Sequence, residues 1–126
     1  MSLFENVNVV YYNVTDWEQA KRFYAEVLEW PVAWADDEMG WIEYGHENKA
    51  HLAINRWDGP GPVPPRSGGA TATLTVDDAH KTTAALRAKG VKCDDVVEIP
   101  GVVTLGGFYD PEGNRIRFAA SAPHAA

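Results

Sequence analysis

Glu43, His51, Tyr11, Tyr109 and Arg117 are the side chains of this sequence best equipped to hold or activate a small organic molecule. An imidazole such as His51 can act as a general base, although a solvated or hydrogen-bonded histidine is the commoner outcome. Tyr11 and Tyr109 offer hydroxyls and ring faces, and a buried tyrosine most often packs with its hydroxyl satisfied. Arg117 has three readings: half of an ion pair with Glu43, an anchor for a carboxylate, phosphate or enolate, or a solvated side chain. A buried guanidinium left unpaired is costly, so a partner is expected. Trp34, Trp41 and Trp57 add flat apolar surface, which suits either a ligand pocket or a filled interior. Trp17 and Trp30 flank a helix and read as packing residues.

Other chemistries find little support. His46, His80 and His124 show no metal or catalytic spacing, and no Ser-His-Asp or Cys-His arrangement can be drawn. Gly106-Gly107 is no phosphate loop, because no helix follows it. The lone Cys93 cannot close an intrachain disulfide and reads as a structural thiol in a reducing cytosol.

These side chains need strands to aim them. Val7–Val14 reads as a strand, followed by Thr15-Asp16-Trp17-Glu18 as a capping box with Thr15 at the N-cap. Ala20, Phe23, Tyr24, Val27 and Leu28 then form an apolar stripe at helical spacing, and Pro31 ends it. Strands follow near 32–36, 40–45 and 50–56. After a Pro/Gly-rich break at 58–69 the order repeats. A strand is expected over 70–76, then a helix capped by Asp77 or Asp78 and stopped at Lys89-Gly90. Further strands are expected near 92–99, 102–109 and 115–120. Asp16 and Asp78 lie half a chain apart, and the repeated strand–helix–three-strand order predicts two βαβββ modules in one α+β domain spanning 1–126. Module one covers about 5–57 and module two about 70–121.

Alternation divides each strand between a helix-covered and an open face. The open set is Val9, Tyr11 and Asn13; Trp41 and Glu43; His51, Ala53 and Asn55; Thr71, Thr73 and Thr75; Leu105, Gly107 and Tyr109; and Arg115, Arg117 and Ala119.

A chain of 126 residues is one domain with room for a core. Its net charge of −7 and pI near 4.9 argue against nucleic acid or an anionic membrane as partner. No stretch approaches a membrane helix, and Met1-Ser2-Leu3 opens no signal peptide, so a cytoplasmic location is expected.

Asp110-Pro111-Glu112-Gly113-Asn114 reads as a hairpin between apolar flanks: Asp bonds the turn backbone, Pro presets φ and Gly supplies positive φ. This hairpin, with Gly106-Gly107-Phe108-Tyr109 before it and Arg115-Ile116-Arg117-Phe118 after, resembles the closing hairpin of the vicinal-oxygen-chelate group. That group includes the glyoxalases, bleomycin-resistance proteins and extradiol dioxygenases. The likeness spans essentially the whole chain and implies a curved mixed sheet forming a cup, with helices on the outer face.

In metal-using members the resemblance places ligands at four positions, which here are Val9, Ala53, Thr71 and Arg117. None is a metal donor, and Arg117 would repel a cation. Glu43 and His51 alone supply fewer donors than the three a catalytic zinc site takes. No cofactor and no divalent metal are therefore expected. The resemblance then implies a homodimer that binds a small aromatic or anionic molecule through Tyr11, Trp34, Trp41, His51, Trp57, Tyr109 and Arg117. A rival is a lyase or isomerase related to lactoylglutathione lyase, with Arg117 and Tyr109 stabilising an oxyanion and His51 or Glu43 moving the proton. A third reading is a structural or regulatory dimer whose cup is filled.

Overall fold

The structure, a computed structural model, describes residues 2, 3, 5–58 and 71–121. The Pro/Gly-rich segment, the expected strand start at Ala70 and His124 lie outside the described residues. The chain divides into two compact units, one on each side of that segment.

In module one the order is β1 (Val9–Val14), α1 (Trp17–Arg22), β2 (Val32–Asp36), β3 (Trp41–Tyr44) and β4 (His51–Arg56). The sheet order is β1-β4-β3-β2, with β1 and β4 parallel and the other pairs antiparallel. Module two repeats it with β5 (Thr73–Thr75), α2 (Ala79–Ala88), β6 (Val97–Ile99), β7 (Val103–Tyr109) and β8 (Arg115–Ser121). Its sheet order is β5-β8-β7-β6, again with one parallel pair, β5 and β8. The α+β fold of two βαβββ modules expected from the sequence is the fold observed.

Two local expectations are corrected. The first helix is capped by Asp16, not by Thr15: the Asp16 carboxylate accepts the Gln19 N–H at 3.1 Å. Both residues can cap a helix, and the carboxylate one position on meets the free N–H groups better. Glu18 meanwhile pairs with Lys21 at 3.1 Å. Nor does the helix run regularly to its end. Phe23–Val27 form a widened turn in which the Leu28 N–H reaches back to the Phe23 carbonyl at 3.0 Å. That turn drives both Phe23 and Tyr24 into the core. In the second half Asp78 is the cap, accepting the Lys81 N–H at 3.0 Å.

Each sheet hides one face under its helix. In module one the covered face carries Val14, Ile42, Tyr44, Leu52 and Ile54, all buried, and the Tyr24 ring stacks on Tyr44 at 5.6 Å. In module two it carries Phe108, Ile116, Phe118 and Ala120, with Phe108 and Phe118 stacked at 6.2 Å. Gly106 makes this packing fit, since a Cβ there would lie 2.2 Å from Cε2 of Phe118. The β7–β8 hairpin closes as its residues dictate. The Asp110 carboxylate accepts the N–H groups of Glu112 and Asn114 at 3.0 and 2.8 Å, and Gly113 takes a φ of 87°.

Candidate functional site

The open face of module one is ordered in cross-strand rows. Register pairs Tyr11 with Ala53, Ala53 with Glu43, and Glu43 with Trp34. The next row runs Asn13, Asn55, Trp41 and Asp36. The side of the sheet assigned by alternation to Val9, Tyr11, Asn13, Trp41, Glu43, His51, Ala53 and Asn55 is therefore a single face. Tyr11 and Trp41 meet diagonally across β4, with ring centroids 5.2 Å apart and a 55° tilt. Ala53, which sits beside Tyr11, is fully buried, and its small side chain leaves room for the two rings to approach. Tyr11 remains 54% exposed and Trp34 50% exposed, a large apolar surface for one sheet face. Trp57 follows β4, half-buried, its N–H donating to the Val14 carbonyl at 2.8 Å.

Glu43 and His51 form the polar part of this face. The Glu43 carboxylate meets Nδ1 of His51 at 2.8 Å through one oxygen and accepts the Trp41 indole N–H at 2.9 Å through the other. Hydrogen bonds from His51 and then from Trp41 hold the Glu43 carboxyl below its ordinary range, against the opposing effect of burial. Nε2 of His51 lies 3.2 Å from the His46 carbonyl oxygen. Both neighbours of the ring are acceptors, so only the doubly protonated ring makes both bonds at once. A singly protonated His51 makes one of these two bonds and not both.

Module two presents a different open face. Arg117 lies between Thr73 and Gly107, and Tyr109 pairs with Arg115. The organising residue is Asp94, which the sequence reading missed. Its carboxylate accepts the Tyr109 hydroxyl at 2.9 Å and Nε and Nη2 of Arg115 at 3.0 and 2.8 Å. Burial opposes the charge on Asp94, yet the bonds from Arg115 and Tyr109 and the charges of Arg115 and Arg117 outweigh it and depress its pKa. The Tyr109 hydroxyl is pushed up in turn, chiefly by its bond to Asp94. Lys92 lies 4.8 Å from the centre of the Tyr109 ring. Gly107 was the available signal: a Cβ there would lie 2.8 Å from Oδ2 of Asp94. A glycine inside a strand marks a close approach, and here the approaching group is a carboxylate.

The partner expected for Arg117 takes a different form. Arg115 holds the salt bridge of this face, at 2.8 Å to Asp94. Nε of Arg117 is buried without a hydrogen-bond partner among the described residues. Glu43, the partner considered from sequence, spends its two oxygens on His51 and Trp41 within module one. Of the remaining histidines, His80 pairs with Glu98 on an exposed surface at 2.8 Å. Burial raises the Cys93 thiol pKa, which suits a packing role over a nucleophilic one.

Residues 6–118 match the family model of the Glyoxalase/Bleomycin resistance protein/Dioxygenase superfamily. The chain belongs to this superfamily. Among solved structures, it is similar to TnmS3, an antibiotic-binding protein from Streptomyces sp. CB03234, at 25% identity and a TM-score of 0.75. That match covers 97% of this chain and 100% of that one. A glyoxalase/bleomycin resistance protein from the same organism is 26% identical, with a TM-score of 0.68 and coverage of 90% and 98%. The fold is also that of a lactoylglutathione lyase from Agrobacterium tumefaciens, with 14% identity, a TM-score of 0.68 and coverage of 94% and 96%. No curated protein matches.

Many glyoxalase-superfamily proteins hold a divalent metal, and the sequence resemblance places its ligands at four positions of this chain. Val9 and Ala53 are hydrocarbon, Thr71 offers a neutral hydroxyl, and Arg117 is a permanent cation. No group of three or more His, Cys, Asp or Glu that could hold a metal ion occurs among the described residues. As donors, Val9, Ala53 and Arg117 do not fit a divalent metal.

Proposed function

We propose that this glyoxalase-superfamily member binds a small aromatic or anionic organic molecule without a metal. The observation that carries this reading is the Tyr11–Trp41 pair, with Trp34 exposed beside it, on one sheet face. Aromatic surface with a few placed polar groups is the usual make-up of a small-molecule site. Glu43, His51 and Trp57 border that surface, and Tyr109 and Arg117 are the candidate ligand contacts on module two's own open face. The likeness to an antibiotic-binding protein supports sequestration of a ligand over its conversion.

The rival is a lyase or isomerase acting on a carbanion or enolate, with His51 or Glu43 moving the proton and Arg117 and Tyr109 facing the oxyanion. It is less well supported, because Nδ1 of His51 meets one Glu43 oxygen and the Trp41 indole donates to the other, so both Glu43 oxygens already have partners. Among the described residues no helix is long and apolar enough to cross a membrane. The reading takes the protein as a cytoplasmic homodimer. Tryptophan fluorescence titration with a panel of planar aromatic antibiotics tests the assignment. Saturable quenching that weakens at least tenfold in Trp34→Ala and Tyr11→Ala is expected. Absence of saturable quenching across the panel would overturn it.

A further inference from the structure

We infer that Arg117 forms an oxyanion subsite on the open face of module two, so that the ligand carries a carboxylate or phosphate group. This rests on the small-molecule-binding reading and narrows it. Arg117 sits at the centre of that face. Its strand neighbours are Gly107, which has no side chain, and Thr73, which is short and exposed. The nearest strand positions on β8 are Arg115 and Ala119, neither of which accepts a hydrogen bond through its side chain.

Asp94 is a carboxylate that feels the charge of Arg117. Its oxygens are already taken: Oδ1 by the Tyr109 hydroxyl and Oδ2 by the two Arg115 nitrogens. Asp94 and Arg115 neutralise one another, and Arg117 contributes the unbalanced positive charge. Its buried Nε–H lacks an acceptor among the described residues, while the residue as a whole is half-buried. A guanidinium is always charged and donates through a planar fork that matches a carboxylate or phosphate edge. An anion arriving at the accessible part of Arg117 would balance its charge, with the Thr73 hydroxyl on the neighbouring strand as a further donor. The overall charge of −7 does not oppose this, because fields at such sites are local.

The test follows the arginine Nε–Hε signals of the full-length ¹⁵N-labelled chain by NMR at constant ionic strength. The Arg117 signal is assigned as the one lost in Arg117→Lys. Benzoate, benzamide and inorganic phosphate are titrated separately. The expected result is a saturable shift of that signal with benzoate, at an affinity at least tenfold above that for benzamide. In Arg117→Gln the two are expected to bind within about twofold of each other. A phosphate response stronger than the benzoate response assigns the oxyanion as phosphate, and the reverse assigns it as carboxylate. Equal binding of benzoate and benzamide to the wild type overturns the subsite and leaves the aromatic reading standing. No saturable response of the Arg117 signal to benzoate or phosphate also overturns it, whatever the fluorescence titration gives. The wild-type comparison stands even if Arg117→Gln fails to fold.

Discussion

The two modules share one topology and differ in what they place on its open face. Module one lays Tyr11, Trp41 and Trp34 around a Glu43–His51 pair, with Ala53 as the small residue that lets the rings meet. Module two instead sets Tyr109, Arg115 and Arg117 on its open face. Gly107 clears space for the Asp94 carboxylate, which holds Tyr109 and Arg115, while Nε of Arg117 has no acceptor among the described residues. Strand order and register therefore settle which positions face outward, while side-chain volume at one central position decides what can lie above them. Alanine admits rings that lean over it, and glycine admits a whole carboxylate.

The largest effects should come from filling the small positions. Gly106→Val places branched carbon into the Phe118 ring and should cost about 3 kcal/mol, read as a lowered urea midpoint. Ala53→Leu is the module-one counterpart. It should cost about 1–3 kcal/mol and separate Tyr11 from Trp41, a change visible in near-UV circular dichroism. If Ala53→Leu were neutral in both readouts, the proposed role of small volume in module one would fail.

Next comes Asp94→Ala, which strips Tyr109 and Arg115 of their shared acceptor. Both partners of that ion pair are partly exposed, so solvent screening limits the loss to about 1–2 kcal/mol in denaturant unfolding. Trp41→Phe keeps a ring against Tyr11 but deletes the donor to Glu43, and should cost about 1 kcal/mol. A loss as large as that of Gly106→Val would show the indole to be a core residue instead of part of an open face.

The smallest effect is in pH dependence. The Glu43 pKa is lowered in the folded state, so its contribution is present above the ordinary value of 4.5 and fades as pH falls through the folded value. Asp94 behaves in the same sense relative to 3.8. Glu43→Gln should therefore be less stable than wild type at pH 7 and lose less stability on acidification below pH 4.5. Parallel acid limbs for the two proteins would remove Glu43 from the account.

Much of this was legible in the sequence because period-two alternation and turn chemistry are local. Both βαβββ units, the 110–114 hairpin and the face assigned to Tyr11, Trp41, Glu43 and His51 follow from such signals. The Asp16 cap was off by one residue because Thr15 and Asp16 can both cap. The strand expected near 92–99 is only Val97–Ile99, so Asp94 lies ahead of it, where strand alternation does not predict its direction. Asp94 reaches the face through a backbone bond from its N–H to the Gly107 carbonyl at 2.9 Å, a contact no periodicity reports. The Glu43–His51 pairing was equally hidden, since both residues were visible on one face but their choice of partner depends on side-chain geometry.

The central claim is that these open faces receive an organic ligand and not a metal ion. Elemental analysis of the purified chain tests it most directly, after incubation with Ni²⁺, Zn²⁺ and Mn²⁺ and removal of unbound ions. The account predicts only traces of metal, far below one ion per chain. One tightly held ion per chain would contradict it.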